Sequence, residues 1–171
     1  IDSENMIISV IGKGSKNRFV PIPDRLMALF FVYLKHYNNN PEAAIVIMGD
    51  LNGKADRPAQ TVVLDTKDSG TEHIQSGHLY NTGYYLLNQG YGSYKYKGTW
   101  QTIDHIIVSG ALLNGNHVLR TDPKLQVFNP RFLLEEDKTY YGFKPFRTYL
   151  GPRYHGGYSD HLPIYLDLKR E

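Results

Sequence analysis

The sequence predicts an α+β fold in which a mostly antiparallel sheet is accompanied by flanking helices. Short apolar runs of strand length, separated by turn residues, indicate the sheet. One longer segment has the 3.6-residue apolar period of an amphipathic helix. With 171 residues, the chain has the length of about one domain with at most a small appendage.

The first 38 residues read as a unit of their own. Residues 6–11 and 19–22 are apolar runs joined by a turn rich in Gly and Lys, which predicts a β-hairpin. Asp24 is in position to cap a helix over 24–37, where the apolar residues have helical spacing. The breaker cluster at 38–41, Asn-Asn-Asn-Pro, then marks the best candidate for a domain boundary.

The rest of the chain supplies the predicted sheet. Its strands are expected at residues 43–48, 103–108, 124–128 and 162–168. We expect the helix over 24–37 to cover one face of this sheet, and a short helix is predicted at 58–64.

Composition excludes several classes of protein. The net charge of +2 comes entirely from the first 38 residues and does not by itself indicate a nucleic-acid-binding protein. The absence of cysteine excludes disulfides and thiolate metal sites. The longest apolar run has nine residues, 26–34, whereas a membrane span needs about 20, so no span is predicted.

Three carboxylates lie in apolar surroundings, and each therefore needs a partner. Asp50 and Asp160 flank apolar runs, and Asp104 lies within one. A buried carboxylate is costly unless it is hydrogen-bonded, ion-paired or bound to a metal. Any one of them alone is equally well explained as a strand-end cap or turn former. Together, oxygen ligands without thiolates favour magnesium or manganese over zinc.

The same residues match the needs of phosphoester hydrolysis, which are a divalent cation, a group that orients water and a donor to the developing oxyanion. Asp50 and Asn52, two residues apart, are candidates to hold a water and a phosphate oxygen together. Asp160 would face the metal and His161 the phosphate. Asp104 would then accept a hydrogen bond from His161 and fix its tautomer.

Three segments resemble, in the same order, the C-terminal motifs of the endonuclease/exonuclease/phosphatase family, whose members are deoxyribonuclease I-like. The segments are residues 45–52, which end in Gly-Asp-Leu-Asn, residues 102–108, which begin Thr-Ile-Asp-His, and residues 158–164, which contain Ser-Asp-His. The resemblance covers residues 39–171 and implies about half of a four-layer αββα sandwich. It also implies a magnesium- or manganese-dependent phosphoesterase acting on a phosphate ester, nucleic acid among the candidates.

The resemblance assigns roles to individual residues. It implies that Asp50 and Asn52 orient water and phosphate, that Asp104 pairs with His161, and that Asp160 lies at the metal. The family's N-terminal motifs are not found in residues 1–38, which implies an incomplete metal site. The alternative is a non-catalytic fragment or binding module that keeps the fold motifs. Half a sandwich would also expose an apolar sheet face, through which we expect the chain to self-associate.

Residues 10–22 and the helix that follows resemble the hairpin and helix of tyrosine recombinases, in which the lysine matching Lys13 lies at the cleavage site. The other essential residues of that family are not found, so DNA strand transfer is disfavoured. The alternative is a generic Gly/Lys hairpin. We hypothesise that the chain joins a recombinase-like remnant, residues 1–38, to the second half of a phosphoesterase, residues 39–171.

Two further groups of residues are candidates for substrate contacts. Arg147 and Arg153 precede the third motif on a Gly-rich loop and could bind a substrate phosphate, or could be solvated loop charges. Aromatic residues interleave with Lys95 and Lys97 between positions 84 and 100. This pattern fits either a stacking platform for nucleic acid or an ordinary pair of strands.

Overall fold

The structure, a computed structural model, describes residues 7–12, 16–21, 40–115 and 117–170. The chain consists of two compact units, Ile1–Asn40 and Pro41–Glu171. In the first unit, β1 (Ile7–Gly12) pairs antiparallel with β2 (Lys16–Pro21). The predicted hairpin is therefore confirmed. The predicted helix over 24–37 lies outside the described residues.

The second unit is rich in β-structure. Its strands are β3 (Val46–Asp50), β4 (Thr66–Asp68), β5 (Leu79–Asn81), β6 (Tyr94–Tyr96), β7 (Thr99–Gln101), β8 (Asp104–Ser109), β9 (Leu119–Thr121), β10 (Gln126–Val127), β11 (Leu134–Glu136), β12 (Phe143–Pro145), β13 (Tyr149–Leu150), β14 (Arg153–Tyr154), β15 (Ile164–Tyr165) and β16 (Leu168–Arg170). The helices are short: α1 (Tyr84–Asn88), a π-helical turn at Ala59–Val63, and 3₁₀ turns at Gly110–Leu112 and Arg131–Leu133. No helix in the described part of the chain has the length and apolar character needed to cross a bilayer.

The main sheet has the strand order β3-β8-β5-β4. β8 lies between β3 and β5 and is antiparallel to both, and β4 is parallel to β5. The strands predicted at 43–48 and 103–108 both join this sheet and pair antiparallel, with Val46 opposite Val108 and Asp50 opposite Asp104. The remaining strands of this unit form two-stranded pairs.

Two of the predicted strands do not join this sheet. The segment at 124–128 contributes only β10, which pairs with β15, and the segment at 162–168 is interrupted between β15 and β16. The break between β15 and β16 matches a break in their partners, because β15 pairs with β10 and β16 pairs with β9. Asp122-Pro123 separates β9 from β10, and a proline has no N–H to donate to a strand ladder. The other two strands of the main sheet are β4 and β5, and neither has an apolar run long enough to predict a strand.

One hydrophobic cluster of the core lies on the face of β8 that carries Ile106 and Val108. Ile106 and Val108 pack with Leu86 of α1 and with Leu112 and Leu125. Burial of each such side chain contributes about 1.5–3 kcal/mol. Because side chains alternate along a strand, Asp104 points to the same face as Ile106, whereas His105 points to the opposite face. The alternation of β8 thus separates the two polar residues at its start.

An apolar groove of about 220 Å³ lies on the core face of the sheet, beside β15 and β16. Val46 and Met48 line it and are 43% and 67% exposed, with Val108 and Ile106 directly opposite them. The sheet face is therefore apolar, as the sequence predicts. Exposed apolar surface of this kind commonly forms protein interfaces.

We expect the chain to self-associate through this groove. Light scattering should give an apparent mass that rises with protein concentration, and Met48→Lys, which places a charge in the groove, should shift the protein toward monomer. Lys169→Gln, on the exposed part of β16, serves as the control and should leave self-association unchanged. A monodisperse wild-type monomer that melts cooperatively would show that the groove does not drive association.

Candidate active site

Three polar side chains meet at one end of the β3–β8 pair. Asp50 ends β3, Asp104 begins β8 directly opposite it, and His161 comes from the loop before β15. One ligand atom from each of the three lies within 4.8 Å of the others. The predicted convergence of these residues, which are far apart in the sequence, is therefore present in the structure.

Asp104 and His161 form the predicted hydrogen-bonded pair. His161 Nδ1 lies 2.7 Å from Asp104 Oδ2, and the two side chains are 25% and 15% exposed. The Ser93 hydroxyl donates to the same carboxylate oxygen. With Nδ1 engaged by a carboxylate, a neutral imidazole carries its hydrogen on that nitrogen, so Nε2 is the nitrogen left for a ligand.

The segment around Ser93 holds both members of this pair in place. The Ser93 carbonyl accepts a hydrogen bond of 2.8 Å from the Leu162 N–H, and the Tyr94 ring lies against the His161 ring in a tilted arrangement, with centroids 4.7 Å apart. Gly92 permits this arrangement, because a Cβ there would lie 2.0 Å from the Gln101 carbonyl oxygen. The same short segment therefore orients the carboxylate and the imidazole together.

Asp50 and Asn52 are connected by a turn. β3 ends at Asp50, and Asn52 adopts a left-handed conformation with φ of 51°. The Asn52 N–H donates to Asp50 Oδ1 at 2.8 Å, so the Asp50 side chain forms an Asx-type turn, and asparagine tolerates the left-handed conformation at position 52. The sequence-based prediction placed Asp50 and Asn52 on the same side of a strand end. Because β3 ends at Asp50, the turn and not strand alternation sets the position of Asn52.

A buried network on the opposite face of β8 was missed by sequence reasoning. His105 is fully buried, and its Nε2 lies 2.7 Å from the Gly53 carbonyl oxygen. The Gln60 amide donates to the carbonyls of Gly53 (2.8 Å) and Lys54 (2.9 Å). The network thus anchors the loop that follows Asp50 and Asn52 to the sheet.

Asn81 of β5 completes this network. Its Oδ1 lies 3.2 Å from His105 Nδ1 and accepts the Gly83 N–H at 2.9 Å, and its amide group donates to the Gln60 side chain. Burial lowers the pKa of His105, against the opposing effect of its hydrogen bond to the Gly53 carbonyl. The available signal in the sequence was a histidine inside an otherwise apolar strand.

Three predicted site residues, Asp160, Arg147 and Arg153, lie outside the group formed by Asp50, Asp104 and His161. Asp160 is exposed and is not a member of the three-residue group. The Arg147 guanidinium lies over the Tyr94 ring, 5.8 Å from its centroid, and so next to the ring that contacts His161. Arg153 lies on exposed β14 and lines a separate cavity formed with its neighbours on the β13–β14 hairpin.

The donor set fits a hard divalent cation. Asp50 and Asp104 lie directly opposite each other on adjacent strands, where like charges are unfavourable, and a cation near Asp50 would offset this repulsion. Carboxylate oxygens are the ligands that Mg²⁺ and Mn²⁺ prefer. His161 Nδ1 is engaged by Asp104, so the imidazole is better placed to contact substrate than to bind the ion through that nitrogen.

Comparison with known proteins identifies a family. A family model described as "Endonuclease/Exonuclease/phosphatase family" matches residues 32–170. No curated protein and no solved structure gives a significant match. The match begins inside the segment that resembles tyrosine recombinases, and the comparisons do not support that resemblance.

Proposed function

We propose that this chain, which belongs to the endonuclease/exonuclease/phosphatase family, hydrolyses a phosphate ester at the site formed by Asp50, Asp104 and His161. Family membership supports a hydrolase of the phosphoesterase or nuclease type, and the family is generally dependent on a divalent metal. The observation that carries the proposal is the approach of the three side chains to within 4.8 Å at one sheet end.

In the proposed mechanism, Asp50 and Asn52 position the water and the phosphate, and His161 stabilises the charge that develops on the phosphate. Asp50 orients a water molecule and takes its proton as the water oxygen attacks phosphorus and the bond to the leaving oxygen breaks. Asn52 donates a hydrogen bond from its side chain to the phosphate. The Nε2–H of protonated His161, stabilised by Asp104 at Nδ1, donates to the phosphate oxygen on which negative charge develops.

Magnesium or manganese would be held by Asp160, the residue to which the resemblance assigns the metal, while Asp50 serves the attacking water. When bound, such an ion neutralises charge on the phosphate and on the leaving oxygen. The site has few carboxylates for this purpose, so we propose that residues 39–171 alone bind the ion weakly.

A binding module without turnover is the second candidate function. It is favoured by the exposure of Asp160 and its absence from the group that Asp50, Asp104 and His161 form. In that case the fold motifs would bind a phosphate ester without cleaving it.

Release of nitrophenol from bis(4-nitrophenyl) phosphate in magnesium separates the two candidates. We expect Asp50→Ala to lower the rate by about 10²-fold, because the attacking water loses its orienting group. Asp167→Ala, an exposed aspartate outside the site, is the matched control and should retain the wild-type rate. Removal of magnesium by EDTA should abolish turnover. Equal rates for wild type and Asp50→Ala would leave only the binding module.

A further inference from the structure

A second cavity, of about 180 Å³, lies against the β6–β7 hairpin and is rich in positive charge. Its lining includes four cationic residues, Lys95, Lys97, Lys144 and Arg147, and a single acidic residue, Asp137. A cavity needs only about 10–15 Å³ to hold a water molecule, so this one has room for a phosphate group. We call it the hairpin cavity.

The acidic residue of the hairpin cavity is already compensated. Asp137 Oδ2 lies 3.0 Å from Lys95 Nζ, and both side chains are only 5% exposed. Asp137 Oδ1 accepts the N–H groups of Thr139 and Tyr140. The hydrogen bond from Lys95 lowers the pKa of Asp137 and keeps it ionised. This pair is neutral as a whole, so the charge of the cavity comes from its other cations.

Those cations retain a net positive charge. Lys144 is 3.7 Å from Glu135 Oε1, a partly exposed contact of the kind that contributes little. Lys97 lies at the tip of the β6–β7 hairpin, where its φ of 46° and the φ of 82° at Gly98 are those of a two-residue primed turn. A Cβ on Gly98 would lie 2.9 Å from Tyr140 Cβ, so the turn packs closely on its neighbour. Lys97 is therefore attached to a well-supported turn.

The hairpin cavity adjoins the proposed phosphate site. Arg147 lines the cavity and lies over the same Tyr94 ring that contacts the His161 ring. Because these groups are 5.8 and 4.7 Å from one ring centroid, the guanidinium and the imidazole are within about 11 Å of each other. Tyr96 and Tyr140, at 51% and 48% exposure, present ring surfaces next to the cations. Cations that alternate with exposed rings suit a strand of phosphates and unstacked bases.

We propose that the hairpin cavity binds a second phosphate of the substrate and that the substrate is therefore a single-stranded oligonucleotide. The inference rests on the proposed function for the first phosphate, at His161. Arg147 lies between the two positions, while Lys97 and Lys144 contact only the second phosphate.

Binding of a fluorescently labelled hexathymidylate, measured by anisotropy in EDTA, tests this without turnover. We expect the double variant Lys97→Gln/Lys144→Gln to raise Kd about tenfold. The slope of log Kd against log salt should decrease by about 0.7 for each lysine–phosphate ion pair that the variant removes. The double variant Lys97→Arg/Lys144→Arg, which keeps both charges, should stay within about twofold of wild type. Lys169→Gln, on an exposed side chain near Asp122, should bind as wild type does.

Two outcomes would overturn the inference. The first is an unchanged Kd and salt slope in the Lys97→Gln/Lys144→Gln variant. The second is competition by thymidine diphosphate at the same concentration as unlabelled hexathymidylate, which would assign the cavity to a free nucleotide. Hydrolysis is a separate readout: weakened binding in this variant without nitrophenol release by wild type would support the cavity and refute the proposed function.

Discussion

His161→Ala is expected to lower kcat for bis(4-nitrophenyl) phosphate by about 10³-fold, with a smaller change in KM. The reason is that Nε2 of His161 is proposed to donate to an oxygen whose negative charge grows only in the transition state. The hydrogen bond of 2.7 Å to Asp104 holds the ring and leaves Nε2 to face the substrate. Steady-state release of nitrophenol in magnesium measures the effect.

His155 provides a closely matched control for this substitution. Its Nε2 lies 2.7 Å from Glu135 Oε2, and its exposure of 30% is near that of His161. His155→Ala removes a histidine–carboxylate pair of the same kind outside the site, so kcat should be unchanged. If His161→Ala and His155→Ala give equal rates, the assigned role of His161 is wrong.

Asp104→Asn tests how His161 is held. The amide keeps the size of the side chain but loses the negative charge, so the hydrogen bond that orients the His161 ring is weaker and kcat should fall. Because the two residues act as a unit, Asp104→Asn/His161→Ala should be about as slow as His161→Ala alone. Rate reductions that multiply would instead indicate that the two residues act independently.

The residues of the site could be predicted from the sequence because each lies in or next to a local pattern that indicates its position. The apolar run before Asp50 and the apolar run around Asp104 each have the length of a strand, and their pairing brings the two carboxylates opposite each other. His161 follows from its motif and from the need of a buried carboxylate for a partner. These inferences require only strand periodicity and the chemistry of the side chains.

The parts that could not be predicted depend on contacts between distant segments. Nothing local indicates that Ser93 donates to Asp104, or that the Tyr94 ring lies against His161, because both contacts depend on where the β6–β7 hairpin packs. The break between β15 and β16 escaped prediction for a similar reason, since alternation continues through it while the partner strands are divided at Pro123. The His105 network, too, joins three segments that have no shared pattern.

Disruption of this network is expected to have the largest effect on stability. His105→Ala should lower the free energy of unfolding by about 3 kcal/mol, because it leaves a cavity and removes the hydrogen bond to the Gly53 carbonyl. Denaturant unfolding measures this, with exposed His73→Ala as the control expected to lie within about 0.5 kcal/mol of wild type. Gln60→Ala should couple to His105→Ala by about 1 kcal/mol, because both side chains contact the Gly53 carbonyl.

The pH dependence of the free energy of unfolding shows whether the protonation of His105, and not only its packing, affects stability. Because burial lowers its pKa in the folded state, the unfolded chain binds the proton more readily. The stabilising contribution of neutral His105 is therefore complete above the ordinary pKa of 6.5 and is lost as the pH falls toward the lowered value. Over that interval the wild type should lose up to about 1.4 kcal/mol per pH unit more than His105→Ala. Parallel curves for the two proteins between about pH 6.5 and 5 would mean that His105 takes up its proton as easily when folded as when unfolded.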